Sequence, residues 1–517
     1  MTKQTIPEIF YEAAAKYADL PAVRWNVRKQ TLEKTYSELL KDADAVRHAL
    51  LRAGLGGTHI ALCGPSSYNW IAAYLGILMA RGAAVPLDVS LPTADQGDLV
   101  RRADVKAVFA APEMSAFIEE VQNNCPQVEK LFLLKEDPED GSVCTGFPKA
   151  DPAGSAQNAA PEEASPDDLC TIIFTSGTTG KSKGVMLLQK NLAENVNNVY
   201  IDVDPGTTLL SVLPIHHAFC LVMDWLKGFS AGATICINDS PLHMIRNLKR
   251  FQPDLVLMVP LMIETIYKLL KSADASVPKK AVAAEVLGGN LKYIFAGGAH
   301  LDPSYIDAFA EYGVQIFEGY GMSECSPVIS SNGQLASRPG SVGKPLDNVE
   351  IRFEDGEILV RGSSVMAGYY HMPEETAAAL EEDGWLHTGD LGRMDEDGFL
   401  YITGRLKNLI ILSNGENVSP EEIEEKLRMD PLVSEVVVIG DAEGLAAYIF
   451  PEPDYIEKAG IAAEEVQGRL QALLDEFNKS QPSYRYLTRL VVRKNPFWKN
   501  TTRKIIRAKI DIDLPQE

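Results

Sequence analysis

The sequence predicts an α/β protein: a large N-terminal domain of layered sheets and helices, divided into subdomains, followed by a small α/β C-terminal domain. Three observations carry this expectation. At 517 residues the chain is too long for one compact core. Up to about Gly321, short apolar runs alternate with stretches of helical periodicity, which marks layered α/β structure with largely parallel pairing. Beyond Gly404 the pattern changes to a compact run of short strands and helices.

The elements follow in order. Tyr36 to Ala53 is amphipathic at helical spacing, His59 to Cys63 reads as a short strand, Trp70 to Arg81 as a strongly apolar helix, and Ala107 to Ala110 as another strand. Lys135 to Asp168 is polar, rich in Pro, Ala, Glu and Gly, and reads as a surface connection around a short element, Val143 to Phe147. An apolar strand, Cys170 to Phe174, then runs into a Gly/Ser/Thr loop. Gly343 to Thr403 carries more β signals, with turns at Glu354–Gly356 and Glu396–Gly398. The tail holds expected strands at Leu409 to Leu412, Val436 to Ile439, Ala446 to Phe450 and near Leu490, and expected helices at Pro420 to Met429 and Ala462 to Lys479. The domain boundary is placed at Arg405 to Lys407, giving domains 1–404 and 405–517. No internal repeat is visible.

A hydrophobic fraction of 46% and a charged fraction of 23% are ordinary for a folded protein. The formal charge of −22 argues against a nucleic-acid partner, because phosphate backbones attract basic surfaces. A small polyanion needs only a local basic site. Seven cysteines show no zinc spacing, and Cys63 and Cys170 sit in apolar strand patterns, so buried free thiols in a reducing compartment are expected. Met1 to Phe10 lacks a secretory pattern, and no apolar run approaches a membrane span of about 18 residues. The expectation is a cytoplasmic enzyme, with peripheral membrane contact left open.

Thr175-Ser176-Gly177-Thr178-Thr179-Gly180-Lys181-Ser182-Lys183-Gly184 follows an apolar strand. Glycines let backbone N–H groups turn inward, hydroxyls add donors and lysines supply charge, which suits a polyphosphate. A flexible polar loop is the plain alternative. A Walker loop is a sharper one: Gly180-Lys181-Ser182 satisfies its end, but Thr175 stands where its first glycine belongs.

The segment resembles the signature loop of the acyl-adenylate superfamily, which includes acyl-CoA synthetases, peptide-synthetase adenylation domains and luciferases. It is one residue shorter after Gly180 than the usual spelling. Further stations occur in the family's order, from Thr35-Tyr36-Ser37-Glu38-Leu39 to Arg503-Lys504-Ile505. The resemblance implies ATP and CoA as co-substrates, Mg²⁺, and a C-terminal domain swinging on a hinge. It implies that Thr175, Ser176, Gly177, Thr178, Thr179, Gly180 and Lys183 hold phosphate, with Thr175 also near the metal.

Glu318-Gly319-Tyr320-Gly321-Met322-Ser323-Glu324 resembles the adenine and magnesium motif, with Ser323 where the family usually has Thr. A tyrosine between glycines can lie flat on a purine, and Glu324 offers a hard oxygen for Mg²⁺. Taken alone, Gly-Tyr-Gly could be an ordinary turn. Gly297-Gly298-Ala299 is implied to approach the adenine and acyl group, and is equally a strand-to-helix turn. In Trp385-Leu386-His387-Thr388-Gly389-Asp390-Leu391-Gly392, Asp390 is implied to accept the ribose hydroxyls. Arg405 would contact ribose or phosphate, and Lys407 occupies the hinge. Ser413, Asn414, Gly415, Glu416 and Asn417 open the loop implied to line the thiol tunnel, and Ser419-Pro420-Glu421-Glu422 also reads as a helix N-cap. Lys504 aligns with the catalytic lysine, whose ammonium would bridge the carboxylate and the α-phosphate. Asn500 and Arg503 depart from the pattern around it, where Thr and Gly are common.

Leu213-Pro214-Ile215-His216-His217-Ala218-Phe219 resembles the acid-pocket motif of fatty acyl-CoA synthetases, with His217 beside the carboxylate. Amino-acid-activating domains use an Asp near this point; Asp224 is out of register. The tail motifs look most like long-chain acyl-CoA synthetases, so a medium- or long-chain fatty acid is expected. The alternatives are an aryl or other acid, a carrier-protein thiol in place of CoA, a P-loop ATPase or kinase, and a non-catalytic nucleotide-binding protein.

Overall fold

The computed structural model describes residues 4–135, 144–149, 164–175, 182–201, 203–274, 276–412, 417–441, 444–499 and 505–510. The chain forms two compact units, residues 1–351 with 360–386, and residues 352–359 with 387–517.

The first unit contains two large sheets. In one, six parallel strands lie in the order Pro21–Val27, Thr234–Ile237, Thr208–Ser211, Leu255–Met258, Tyr293–Ala296 and Gln315–Gly321. Antiparallel strands finish both edges, Gln30–Thr35 at one and Val328–Ser331 with Lys344–Pro345 at the other. In the second, Lys130–Leu133, Ala107–Ala110, His59–Cys63, Ala83–Leu87 and Leu169–Thr175 are parallel, and Lys183–Leu188 and Gly368–Tyr369 extend the sheet antiparallel. The mostly parallel pairing explains the continuous apolar runs: four of the five residues of His59–Cys63 and all of Ala83–Leu87 are buried.

Some helices start at a capping side chain that the sequence places there. Thr35 caps Tyr36–Arg52, and Glu38 reaches back to the Thr35 N–H at 2.9 Å, so the Thr35–Leu39 station is a capping box. The Tyr36 hydroxyl donates to the Ala233 carbonyl at 2.7 Å and ties that helix to the first sheet's surroundings. The apolar helix is Tyr68–Met79, buried along nearly its whole length. The described part of the polar connection behaves as expected at Thr145, which bridges Phe132 at the second sheet's edge; Val143 lies outside the described residues.

In the second unit, Val433–Asp441, Gly444–Pro451 and Leu487–Val492 form a sheet backed by the helices Pro420–Arg428 and Ala463–Lys479. The expected strand at Leu409–Leu412 is shorter, Ile410–Ile411 paired with Asn417–Val418. A helix at Pro453–Ala459 was not expected: its seven residues are too few to show a period. The Leu386–Met394 and Leu400–Arg405 strands pair antiparallel, and the expected boundary at Arg405 to Lys407 falls inside this unit. All seven cysteines are buried and unpaired. Among the described residues no helix is long and apolar enough to cross a membrane.

Candidate functional site

In the first unit, strand register brings together Thr175, Lys183 and Tyr369. Thr175 pairs with Lys183 across the last strands of the second sheet, and Val185 pairs with Tyr369 on the far side of Lys183–Leu188. This sets the Lys183 ammonium 4.7 Å from the centre of the Tyr369 ring. The Tyr369 hydroxyl donates to Glu324 Oε1 at 2.9 Å, and the Met366 N–H donates to the Glu324 carbonyl at 2.8 Å. Glu324 is 8% exposed. Burial, and then the Glu324 carboxylate, push the Tyr369 phenol well above its usual range, so it stays a donor.

Glu324 lies on the loop between Gln315–Gly321 and Val328–Ser331, so Gly319-Tyr320-Gly321 is the end of a strand and not a turn. Gly321 is required there: a Cβ would lie 2.0 Å from the Pro327 carbonyl oxygen. A buried side chain from another segment braces this loop. Asn195, on the helix Gln189–Asn198, donates to the carbonyls of Cys325 (3.3 Å) and Val328 (2.8 Å) and accepts from the Val328 N–H (3.3 Å).

A magnesium ion arriving on a nucleotide draws most of its oxygens from phosphate and water and needs only one or two from protein. The steered Glu324 carboxylate and the Thr175 hydroxyl are donors of that kind and fit it. Among the described residues no group of three or more His, Cys, Asp or Glu offers a different metal site.

The two segments expected to meet adenine and the acyl group follow neighbouring strands, because Ala296 and Glu318 are register partners. Gly297-Gly298-Ala299 thus emerges beside Gly319-Tyr320-Gly321, with Tyr320 half-buried. A Cβ on Gly297 would press on the Phe219 ring at 3.0 Å. Phe219 opens a wide π-helical segment, Phe219–Leu226, just after the two histidines. The ring centroids of His216 and His217 are 4.2 Å apart; His216 is buried with Nε2 3.6 Å from Asp88 Oδ1, and His217 is half-buried. Burial would raise the Asp88 carboxyl, but the contacts from His216 and Ser90 hold it well below the usual carboxylate range. Asp224 points elsewhere. It is fully buried, Cys220 Sγ lies 3.5 Å from Oδ2, and burial, partly offset by Ser211 and Cys220, pushes its carboxyl up to about 7.

The second unit holds Asp390 and Arg405, the residues expected to meet the ribose. Asp390 and Arg405 are cross-strand partners with Oδ1 2.7 Å from Nε, and Asp390 is 3% exposed. Thr388 donates to the Ile358 carbonyl at 2.7 Å and accepts from the Asp390 N–H at 3.1 Å, while Glu357 accepts from the Gly389 N–H at 2.9 Å. Lys407 follows in the short helix Leu406–Asn408, where burial and the nearby Arg405 hold its ammonium below the usual lysine range. Ser419 occupies the N-cap position but does not cap; its hydroxyl donates to Glu421 at 3.0 Å, and Pro420 at the first helical position needs no cap for its missing N–H.

Ser176, Gly177, Thr178, Thr179, Gly180, Ser413, Asn414, Gly415, Glu416 and Lys504 lie outside the described residues, as does the side chain of Asn417. The flanks of Lys504 are anchored. Lys499 bridges Ile505, and Arg507 donates to both carboxylate oxygens of Glu424 at 2.6 Å. Glu424 also accepts from the Val438 N–H at 2.6 Å.

Sequence reasoning missed Tyr369 and Asn195. Asn195 had a signal: Asn191, Glu194 and Asn195 recur at i, i+3 and i+4 beside Leu192, Ala193 and Val196, and polar groups on a buried helical face need partners.

The chain matches the model of the AMP-binding enzyme family over residues 10–370 and that of the AMP-binding enzyme C-terminal domain over residues 407–513. It is 28% identical over 474 residues to the long-chain-fatty-acid–CoA ligase FadD15 of Mycobacterium bovis, covering 82% of this chain and 78% of that one. It is 29% identical over 504 residues to the human long-chain-fatty-acid–CoA ligase ACSBG1, covering 84% and 69%. Its fold matches the anthranilate CoA ligase AuaEII in complex with anthranoyl-AMP, with a TM-score of 0.84 at 22% identity over 98% of this chain and 97% of that one. These matches set aside the P-loop and non-catalytic alternatives: the chain belongs to the AMP-binding enzyme family, the adenylate-forming acid–thiol ligases.

Proposed function

We propose that this ligase activates a medium- or long-chain fatty acid to its acyl-AMP and passes the acyl group to CoA, releasing pyrophosphate and then AMP. The observation that carries the choice of acid is the apolar segment Phe219–Leu226 behind the histidine pair, whose one carboxylic acid, Asp224, is sealed against Cys220 and Ser211. Fully buried against Cys220, Asp224 is set in the core and not presented to a substrate ammonium. The named activity of the long-chain relatives supports the same choice.

In the first step the acid's carboxylate attacks the α-phosphorus and pyrophosphate leaves. Lys183 and the loop after Thr175 would hold the phosphates, His217 would flank the carboxylate, and Tyr320 would stack on adenine. Glu324 and Thr175 would hold Mg²⁺, which supplies charge neutralisation on the phosphates when bound with ATP. Lys504 would steady the charge that develops between carboxylate and phosphate. Asp390 and Arg405 would take the ribose once their own pairing yields to it. The residues beyond Lys407 would then turn about it, withdrawing Lys504 and presenting the loop from Ser413, so that the thiolate attacks the acyl carbonyl and AMP leaves. Lys407→Pro would stall that exchange. The seven unpaired cysteines favour a reducing compartment, so we place the reaction in the cytoplasm.

The test is incubation with MgATP, CoA and saturated fatty acids of graded length, with products identified by mass. Acyl-CoA and AMP peaking at one medium or long chain is the expected result. Adenylation without acyl-CoA would transfer the acceptor role to a carrier-protein thiol, and turnover only with aryl acids would overturn the fatty-acid assignment.

A further inference from the structure

Opposite charges that must both reach a polyphosphate create a problem before it arrives, since left together they pair with each other. Tyr369 stands at that point. One face of its ring meets the Lys183 ammonium at 4.7 Å, and its hydroxyl donates to Glu324 Oε1 at 2.9 Å. Among the described residues the Lys183 charge is met by this ring and by no carboxylate.

The segment carrying Tyr369 is itself fixed from both sides. Its backbone pairs with Lys183–Leu188 through Ala367 N–H to the Met186 carbonyl (3.0 Å) and Tyr370 N–H to the Gly184 carbonyl (2.8 Å). Met366 N–H holds the Glu324 backbone, and Thr376 Oγ1 accepts from the Tyr369 N–H at 2.9 Å. The lysine's strand, the glutamate's loop and the tyrosine are thus one hydrogen-bonded assembly.

We infer that Tyr369 is a positioning residue that keeps Glu324 and Lys183 apart and aimed for a metal–nucleotide complex. The inference rests on the adenylate-forming reading of this site. The hydroxyl steers the carboxylate through one of its oxygens, and the ring parks the ammonium without neutralising it. The two jobs reside in different parts of one side chain, so they are separable. Tyr369→Phe keeps the ring and removes the steering, whereas Tyr369→Leu removes both.

The test is calorimetric titration of the full-length protein with α,β-methylene-ATP, with and without Mg²⁺, alongside Mn²⁺ titration by electron paramagnetic resonance and a thermal melt. Tyr369→Phe is expected to shrink the Mg²⁺-dependent gain in affinity and the Mn²⁺ affinity about tenfold, as for a lost charge-assisted hydrogen bond. Metal-free binding should stay within about twofold. Tyr369→Leu should also weaken metal-free binding, about fivefold, through Lys183. Adding Tyr369→Phe to Glu324→Gln should cost less than about twofold more, because the carboxylate charge being steered is already gone. If Tyr369→Phe lowers both affinities equally together with the melting temperature, or leaves both unchanged, the positioning role is overturned. If the two substitutions are additive, Tyr369 does not act through Glu324 and the role is likewise overturned. Wild-type protein that binds no analogue at all would overturn the adenylation reading, and this inference with it.

Discussion

The two units hold their functional side chains in opposite ways. In the first, Glu324 is fixed by groups far away in the chain: Tyr369 at its carboxylate, Met366 at its backbone and Asn195 on the loop beyond it. In the second, Asp390 faces Arg405 across a single strand pair and is steadied by Thr388, two residues away. A site braced from afar depends on the whole unit being folded. A site held on the adjoining strands of one small sheet depends on that sheet and its register. The first unit should therefore lose stability and nucleotide binding together when its buried backbone brace, Asn195, is cut, whereas the second unit should be able to lose one step of chemistry and keep the other.

The largest expected effect tests that separation. Lys504→Ala should slow acyl-AMP formation about 100- to 1,000-fold, the range for removing one preorganised charge, while thioester formation from supplied acyl-AMP persists. Single-turnover assays of each half-reaction would read this, and equal loss of both would break the division of labour. Next comes the brace itself. Asn195→Ala leaves buried backbone groups of Cys325 and Val328 without partners and should cost about 3 kcal/mol in urea unfolding. The KM for MgATP should rise about tenfold in parallel. Unchanged KM at lowered stability would mean that the brace supports the fold without setting Glu324.

A smaller effect is expected in the second unit. Arg507→Ala would strand Glu424, a 4%-exposed carboxyl that burial already raises against the pull of Arg507. Breaking a fully buried pair costs about 3–5 kcal/mol. Arg507 is 26% exposed, so about 2 kcal/mol is expected once solvent screening is allowed for. Adenylation should fall with it, because Arg507 anchors the residues after Lys504.

The smallest effect appears only with pH. The folded Asp224 carboxyl titrates at about 7, above the roughly 4 of an unfolded aspartate, so the folded state binds its proton more tightly. That contribution to stability is complete below pH 4 and is lost as the pH rises to 7, at up to about 1.4 kcal/mol per pH unit, after which it levels off. Asp224→Asn should remove this part of the slope and be the more stable protein at pH 8. Parallel pH–stability curves for the two proteins would show that Asp224 is ionised in the fold.

What was legible in the sequence follows the same contrast. Strands such as His59–Cys63 and the helix Tyr36–Arg52 were readable because their period and caps are local. Asp390, Arg405 and the Gly319–Gly321 strand end were readable as motifs because each is a short string whose register carries its geometry. Tyr369 was not, because its meaning depends on Glu324 lying 45 residues away and on Lys183 lying across a strand pair. The helix Pro453–Ala459 was obscured by shortness, where tertiary packing outweighs pattern.

The most direct test of the central claim is the fate of the acid's oxygen. With a long-chain fatty acid labelled in both carboxylate oxygens with ¹⁸O, plus MgATP and CoA, attack of the carboxylate on the α-phosphorus must leave one labelled oxygen on AMP. Mass spectrometry should therefore find AMP carrying one ¹⁸O, unlabelled pyrophosphate, and acyl-CoA retaining one ¹⁸O. Formation of ADP with label in inorganic phosphate, or of unlabelled AMP, would contradict the acyl-adenylate account.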